Sequence, residues 1–217
     1  MHRDKWNRRY SEGGLSGPGE PSPILVEVVS ELRPGSALDL AAGQGRNAFY
    51  LAAQGWDTTA IDFSEVAIEK GTLLSRQLEI PVRWELRDLT LYTPPRAHYD
   101  LVCIFYLHLP WEEYSEILQR AAGAVKPGGT LLVVGHDRSN IEHGSGGPQD
   151  PAVLYTPRDI TGVLEHTSGT SGSPGSAGAQ PPSFEVLRAE TQKNPVDHGH
   201  SGMGGPQIDC IVTARRG

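Results

Sequence analysis

A chain of 217 residues with 37% hydrophobic residues is long enough for one good core, and at about 150 residues per domain it reads as a single domain over 1–217. A formal charge of -7 argues against a surface that tracks phosphates, so small-molecule partners are favoured and nucleic acid is not expected. Cys103 and Cys210 sit in apolar runs, which argues against disulfide or zinc roles, and no metal is expected. The opening MHRDKWNRRY lacks the apolar core of a signal peptide, and no stretch approaches the ~20 apolar residues of a membrane span, so a cytoplasmic protein is expected.

In chain order, Trp6, Arg9 and Tyr10 suit a lid within residues 1–20, an unpacked terminus being the alternative. Residues 23–32 carry a helical stripe of Ile24, Leu25, Val28, Val29 and Leu32, ended by Pro34-Gly35. Residues 37–41 read as a strand that runs into the turn Ala41-Ala42-Gly43-Gln44-Gly45 and a helix over 45–54. Glycine lets the backbone turn sharply and lets the amides at the helix start approach a ligand. Asp62 closes the next strand, 58–61, about 20 residues on, where a carboxylate can take both hydroxyls of a ribose or simply cap the following helix. Gly43-x-Gly45-x-x-Ala48 taken alone also fits a dinucleotide fingerprint.

Ser64-Glu65 signals the start of a helix over 64–78, with Val66, Ile68, Leu73 and Leu74 suited to covering a sheet. Strands follow at 82–86, 101–105 and 131–134, with a helix over 111–125. This alternation predicts an α/β fold with a parallel, doubly wound sheet. Residues 184–187 and 208–214 read as two further strands with no helix between them. The Ser/Gly/Pro-rich run 167–182 reads as a flexible insertion, and 197–206 as the turn between the last strands. His198 and His200, alternate in that turn, make a poor metal pair.

Asp39-x-Ala41-x-Gly43-x-Gly45 is in register with the acidic, glycine-rich motif of class I S-adenosylmethionine-dependent methyltransferases, and the chain resembles that family. Further landmarks follow in order: Ala60-Ile61-Asp62, Arg87-Asp88-Leu89, Tyr99-Asp100-Leu101-Val102 and Lys126-Pro127-Gly128-Gly129-Thr130-Leu131. Gly45-Arg46-Asn47 and the aromatic-basic start look like the tellurite-resistance and thiopurine-type branch of small-molecule enzymes. Ala41 departs from the motif, since it stands where the first glycine is usual.

The resemblance implies a mostly parallel seven-stranded sheet whose last strand is antiparallel, and S-adenosyl-L-methionine as cofactor. It implies cofactor contacts from Asp39, Ala41, Gly43, Gly45 and Arg46 around the methionine end, and from Asp62 and Phe63 at the ribose. Asp88 and Leu89 fall at the adenine position and Phe105 near the cofactor's middle, with a turn cap and plain core packing as the respective alternatives. His108 and His136 follow the fourth and fifth strands at the carboxyl edge, where doubly wound folds hold ligands, and are candidate catalytic bases or substrate contacts. Structural hydrogen bonding is the alternative for both. Asp137 could orient His136 or merely begin the next loop. The polar run 136–150 reads as a substrate-side or plain surface loop, with Arg138 and Asn140 as candidates. The expected activity is in-line methyl transfer to a small molecule, possibly a thiol or chalcogen nucleophile; the rival readings are an NAD(P)-dependent oxidoreductase and a non-catalytic cofactor-binding module.

Overall fold

The computed structural model describes residues 3–13, 17–167, 182–194 and 206–217. Helices α1 (Arg3–Glu12) and α2 (Pro23–Ser30) precede an alternation of β1 (Ser36–Leu40), α3 (Arg46–Ala53), β2 (Asp57–Asp62), α4 (Glu65–Leu78) and β3 (Arg83–Leu86). Next come β4 (Tyr99–Phe105), α5 (Trp111–Ala124) and β5 (Val125–His136). Short helix α6 (Asn140–His143), a 3₁₀ turn at Pro151–Val153 and α7 (Pro157–Thr167) lead to β6 (Phe184–Asn194) and β7 (Gln207–Arg216). The seven strands form one sheet in the order β3-β2-β1-β4-β5-β7-β6. β1 to β5 are mutually parallel, and β7 runs antiparallel to β5 and to β6. The insertion at 167–182, apart from its ends, and the turn at 197–206 with His198 and His200, apart from Pro206, lie outside the described residues.

Central strands flanked by helices on both faces are apolar throughout, because each side chain meets a helix whichever way it points. On one face Leu38, Leu40, Val102, Ile104, Leu131 and Val133 pack with Ile117 and Leu118 of α5 and Ile160 and Leu164 of α7. On the other, Ala37, Leu101, Cys103, Leu132 and Val134 pack with Leu25 and Val29 of α2 and Leu51 of α3. At the amino edge Asp100 ties three strands together. Its Oδ2 accepts from the Ser36 amide (2.8 Å), the Ser36 hydroxyl (2.7 Å) and Lys126 Nζ (2.8 Å). Partial burial raises this carboxyl, but those donors win and bring it down to about 2.

Three expectations change. β5 begins at Val125 rather than at residue 131, and takes the Lys126–Gly129 segment into the strand as an irregularity opposite Tyr99 and Leu101, with Gly128 at φ +78°. α7 occupies a stretch for which no element was expected. On α4 the sheet-facing stripe is Ala67, Gly71 and Leu74, whereas Leu73 is 46% exposed.

The small residues on α4 are explained by Trp84 of β3. A Cβ on Gly71 would fall 2.4 Å from Trp84 Cη2, and one on Gly45, across the ring, 2.2 Å from the same atom. The indole Nε1 donates to Ser75 Oγ at 2.9 Å, and Phe49 packs against the ring at 5.7 Å. The indole therefore wedges between α4 and the turn that begins α3. Gly71→Ala should lose about 1–3 kcal/mol in urea unfolding despite alanine's better helix propensity, because the ring must move. Adding Trp84→Phe should recover part of that loss, and an unchanged midpoint for the single variant would show that the wedge is loose.

Candidate active site

Strands β1 to β5 all end at one edge of the sheet, and β7, running the other way, begins there. The turn from β1 into α3 holds three left-handed residues: Ala41 (φ +60°), Gly43 (φ +58°) and Gly45 (φ +87°). Glycine enters this region without strain, whereas a Cβ costs about 1–2 kcal/mol, so the alanine at position 41 carries a backbone strain that the usual glycine would not.

Asp62, 3% exposed, clamps this turn to the next one. Its Oδ2 accepts from the Gly43 amide and its Oδ1 from the Ser64 amide, both at 2.8 Å. Burial raises its pKa, and the amides of Ser64, Gly43 and Phe63 only partly oppose this. Ser64 Oγ accepts in turn from the Ala67 amide at 3.2 Å, so the cap of α4 and the clamp coexist. Phe63 is half-buried at the rim.

Asp39, under the turn on β1, is 1% exposed, and neither carboxylate oxygen has a hydrogen-bond partner among the described residues. Burial lifts its carboxyl to about 7; the Arg46 guanidinium and the nearby Ala48 amide pull down, and the neighbouring Asp62 pushes up. The Ala48 amide is not placed for a well-formed hydrogen bond, and a buried acceptor pair so poorly supplied with donors is costly and is what a cationic ligand would relieve.

Helix α1 lies across the turn. Asn7 Oδ1 accepts from Ser64 Oγ at 2.6 Å, and Lys70 Nζ donates to the Tyr10 and Gly13 carbonyls. Of the three lid candidates, Tyr10 reaches the turn: a Cβ on Gly43 would sit 2.7 Å from its hydroxyl. Burial first, then the Asp62 charge, raise that phenol well above its usual range. Trp6 stacks on Tyr10 at 5.7 Å, and the Arg9 guanidinium lies 5.2 Å from the Trp6 ring.

Asp88 Oδ1 accepts from the Thr90 hydroxyl (2.7 Å) and amide (3.0 Å), and the hydroxyl bond leads the causes that lower its pKa. The Leu89 side chain is buried in the core, and its carbonyl accepts from Arg120 at 2.8 Å. Phe105 is also core, beside Val134.

Beyond Phe105 the chain turns through Tyr106 at φ +52°, and the Arg46 guanidinium lies 5.8 Å from the Tyr106 ring. That contact joins the glycine turn to a second cluster. The His108 and His136 rings stack at 5.2 Å with 4° between planes, and Tyr106 packs 5.0 Å from His136. Asp209, 1% exposed, anchors the group: Oδ1 lies 3.2 Å from His136 Nδ1, and Oδ2 accepts from the Tyr106 hydroxyl (2.8 Å) and Asn194 Nδ2 (2.7 Å).

Asp137 does not orient His136. Its Oδ1 accepts from Ser139 and its Oδ2 from the Thr191 hydroxyl, so it starts the loop. Asn140 is a buried brace, donating to the Gly146 carbonyl and accepting from the Ile208 amide, and Arg138 pairs with Asp159. The loop they shape lies on His136, since a Cβ on Gly147 would come 2.4 Å from that ring. Asp209 is the residue that sequence reasoning missed. Its signal was a lone acid at the start of the apolar run Ile208-Asp209-Cys210-Ile211. Among the described residues no group of His, Cys, Asp and Glu could hold a metal, and no helix is long and apolar enough to cross a membrane.

The family model described as a methyltransferase domain matches residues 37–129. Over 133 residues the chain is 24% identical to the probable S-adenosyl-L-methionine-dependent methyltransferase TehB of Haemophilus influenzae, covering 60% of this chain and 44% of that protein. The TehB crystal structure superposes with a TM-score of 0.70 at 17% identity, covering 90% of this chain and 62% of that one. Ribosomal RNA small subunit methyltransferase B of Thermus thermophilus is 38% identical over 89 residues, 41% of this chain and 22% of that protein. The chain thus spans less than half the length of these curated relatives. Magnesium protoporphyrin IX methyltransferase of Synechocystis, solved with bound SAM, shares the fold with a TM-score of 0.60 at 15% identity, covering 100% of this chain and 80% of that one. Residues 37–129 thus match a methyltransferase domain, and the chain is similar to TehB in sequence and shares its fold.

The two buried acids predict how stability depends on pH. Asp39 keeps a proton in the folded chain up to about pH 7 that the unfolded chain releases near the ordinary aspartate value of 3.8. Stability should therefore fall as pH rises from about 4 to 7, by on the order of a few kcal/mol, and level off above that. Asp62, also raised, adds to the same trend. Urea midpoints at pH 5 and 8 check this, and Asp39→Asn should flatten the profile and raise the pH 8 midpoint.

Proposed function

We propose that the chain works as a single-domain enzyme that transfers a methyl group from S-adenosylmethionine to a small-molecule acceptor at the carboxyl edge of the sheet. The carrying observation is the unpartnered, buried carboxylate of Asp39 beneath the glycine turn, which fits the cofactor's ammonium group. Ala41, Gly43, Gly45 and Arg46 would enclose the methionine end. Asp62 would receive the ribose hydroxyls through lone pairs that its two amides leave free, with Phe63 on the rim. Asp88 and the backbone of Leu89 would take the adenine, and Phe105 would back the middle of the cofactor.

S-adenosylmethionine supplies an already activated methyl group, so the chain needs only to align a nucleophile and exclude water. His108 and His136 would face that nucleophile, a thiol or other chalcogen in the first place. A charge of -7 favours a small molecule over RNA. Two free, buried thiols, Cys103 and Cys210, fit a reducing compartment such as the cytoplasm.

Isothermal titration with S-adenosylmethionine, S-adenosylhomocysteine and NAD(H) tests this. Binding of the first two in the micromolar range is expected, weakened at least tenfold in Asp62→Ala and for S-adenosylmethionine in Asp39→Asn. Binding of NAD(H) alone would replace the reading with a dinucleotide enzyme. Tight S-adenosylmethionine binding with no transfer to thiols, phenols, amines or chalcogen anions would reduce it to a binding module.

A further inference from the structure

The two stacked histidines are chemically unequal. Val153 O lies 3.3 Å from His108 Nδ1 and, as a carbonyl, can only accept, so Nδ1 carries the hydrogen and Nε2 holds a lone pair. That Nε2 is buried and has no partner among the described residues. His136 differs, because Asp209 accepts from its Nδ1–H, and the Gln207 carboxamide nitrogen packs along the ring edge, 3.1 Å from Nδ1 and 3.4 Å from Nε2. On His108, next to the Tyr106 ring that Arg46 links to the glycine turn, an imidazole acceptor is left open.

Resting on the methyl-transfer reading, we propose that the acceptor is an uncharged molecule bearing an S–H or N–H group that donates to His108 Nε2 and leaves its proton there, while Asp209 acts as the positioning residue that fixes His136 and Tyr106.

The surroundings of His108 agree. Burial above all, then His136 on β5, hold its pKa down to about 4, while the Val153 carbonyl and Asp209 on β7 draw it up only in part. The ring is therefore neutral at physiological pH and offers a lone pair with no proton, which suits a hydrogen-bond donor and repels a thiolate or chalcogenide anion. So weak a base cannot ionise a thiol of ordinary pKa, about 8.5, beforehand. It does not need to. A neutral thiol sulfur that gains a methyl becomes cationic and strongly acidic, and an aromatic amine becomes a moderately acidic anilinium, so a weak base suffices for these at that moment. A hydroxyl oxygen, poorly nucleophilic until ionised, gains little from such a base. As the bond from sulfur or nitrogen to the methyl carbon forms and the sulfonium carbon–sulfur bond breaks, the proton passes to Nε2 and then to water. The acceptor leaves methylated and uncharged.

The test uses the full chain saturated with S-adenosylhomocysteine, titrated calorimetrically at pH 7.5 with benzyl thiol and with aniline in two buffers of different ionisation heat. At least one probe should bind with no net proton release, and bind at least tenfold more weakly to His108→Phe, whose S-adenosylhomocysteine affinity stays unchanged and reports an intact fold. Release of one proton per thiol bound, tighter binding of 4-nitrothiophenol as its thiolate, undiminished binding to His108→Phe, or no binding of either probe would each overturn the proposal. Failure to bind S-adenosylhomocysteine would instead overturn the methyl-transfer reading. In Asp209→Asn, the ring ¹⁵N spectrum of His136 should lose its single tautomer and probe affinity should fall about tenfold; a spectrum and affinity like those of the parent would remove Asp209 from the positioning role.

Discussion

Two backbone amides, of Gly43 and Ser64, converge on the single buried carboxylate of Asp62, and the ligand edge of the sheet is organised around that clamp. It fixes the turn after β1 against the turn after β2, which the strand register alone leaves free to splay. It also sets the Asp62 charge beside Asp39, whose carboxylate oxygens have no well-formed hydrogen bond among the described residues. The Asp62 charge adds to burial in raising the Asp39 pKa. The clamp is thus bought with instability at the point where a cation would be bound. Tyr10 reports the same field, since its phenol is held protonated partly by the charge of Asp62.

Topology supplies the other half of the edge. In a purely parallel sheet, a residue near the start of a strand would lie at the end far from the ligands. β7 is antiparallel, so Asp209, third in its strand, pairs directly with His136, the last residue of β5. Asn194, the last residue of β6, arrives at the same place through its own pairing with Gln207. The reversed strand thereby delivers Asp209 and Gln207, and β6 delivers Asn194, to the edge where the chain brings His108 and His136. The left-handed turn at Tyr106 swings its hydroxyl onto the same carboxylate.

Much of this was legible in the sequence because it is periodic or local. Apolar runs marked at least part of each of the seven strands, β6 continuing past the expected 184–187 through the polar residues 188–194 because it pairs with β7 along that length, and the glycine turn and Asp62 announced the clamp within some 20 residues of one another. What was not legible depends on distant partners. Leu73 has the periodicity of a core residue, yet α4 turns its small side to the sheet because Trp84, two elements away, occupies the room. Gly45 reads as space for a ligand, but the indole fills its missing side chain and Tyr10 crowds Gly43. α7 has the helical spacing of Ile160, Val163 and Leu164 but lies between a polar loop and a low-complexity run that obscure its limits. Asp209 is 73 residues from His136, and no local pattern links them.

The two halves of the edge differ in charge. The side of β1 and β2 buries two carboxylates, one of which, Asp39, is poorly supplied with donors; the side of β4, β5 and β7 buries one carboxylate, Asp209, whose oxygens are engaged by Tyr106, Asn194 and His136. The first side attracts positive charge, and the second presents the neutral imidazole edge of His108. Arg46 stands between them, drawing Asp39 down and lying on the Tyr106 ring. A cationic cofactor held on the first side, facing an uncharged acceptor on the second, would react with its charge dispersed rather than neutralised in place. Such a reaction gains from a dry, weakly polar pocket and would be hindered by a fixed cation near the nucleophile. The absence of donors to His108 Nε2 among the described residues, costly to the fold, is consistent with that requirement.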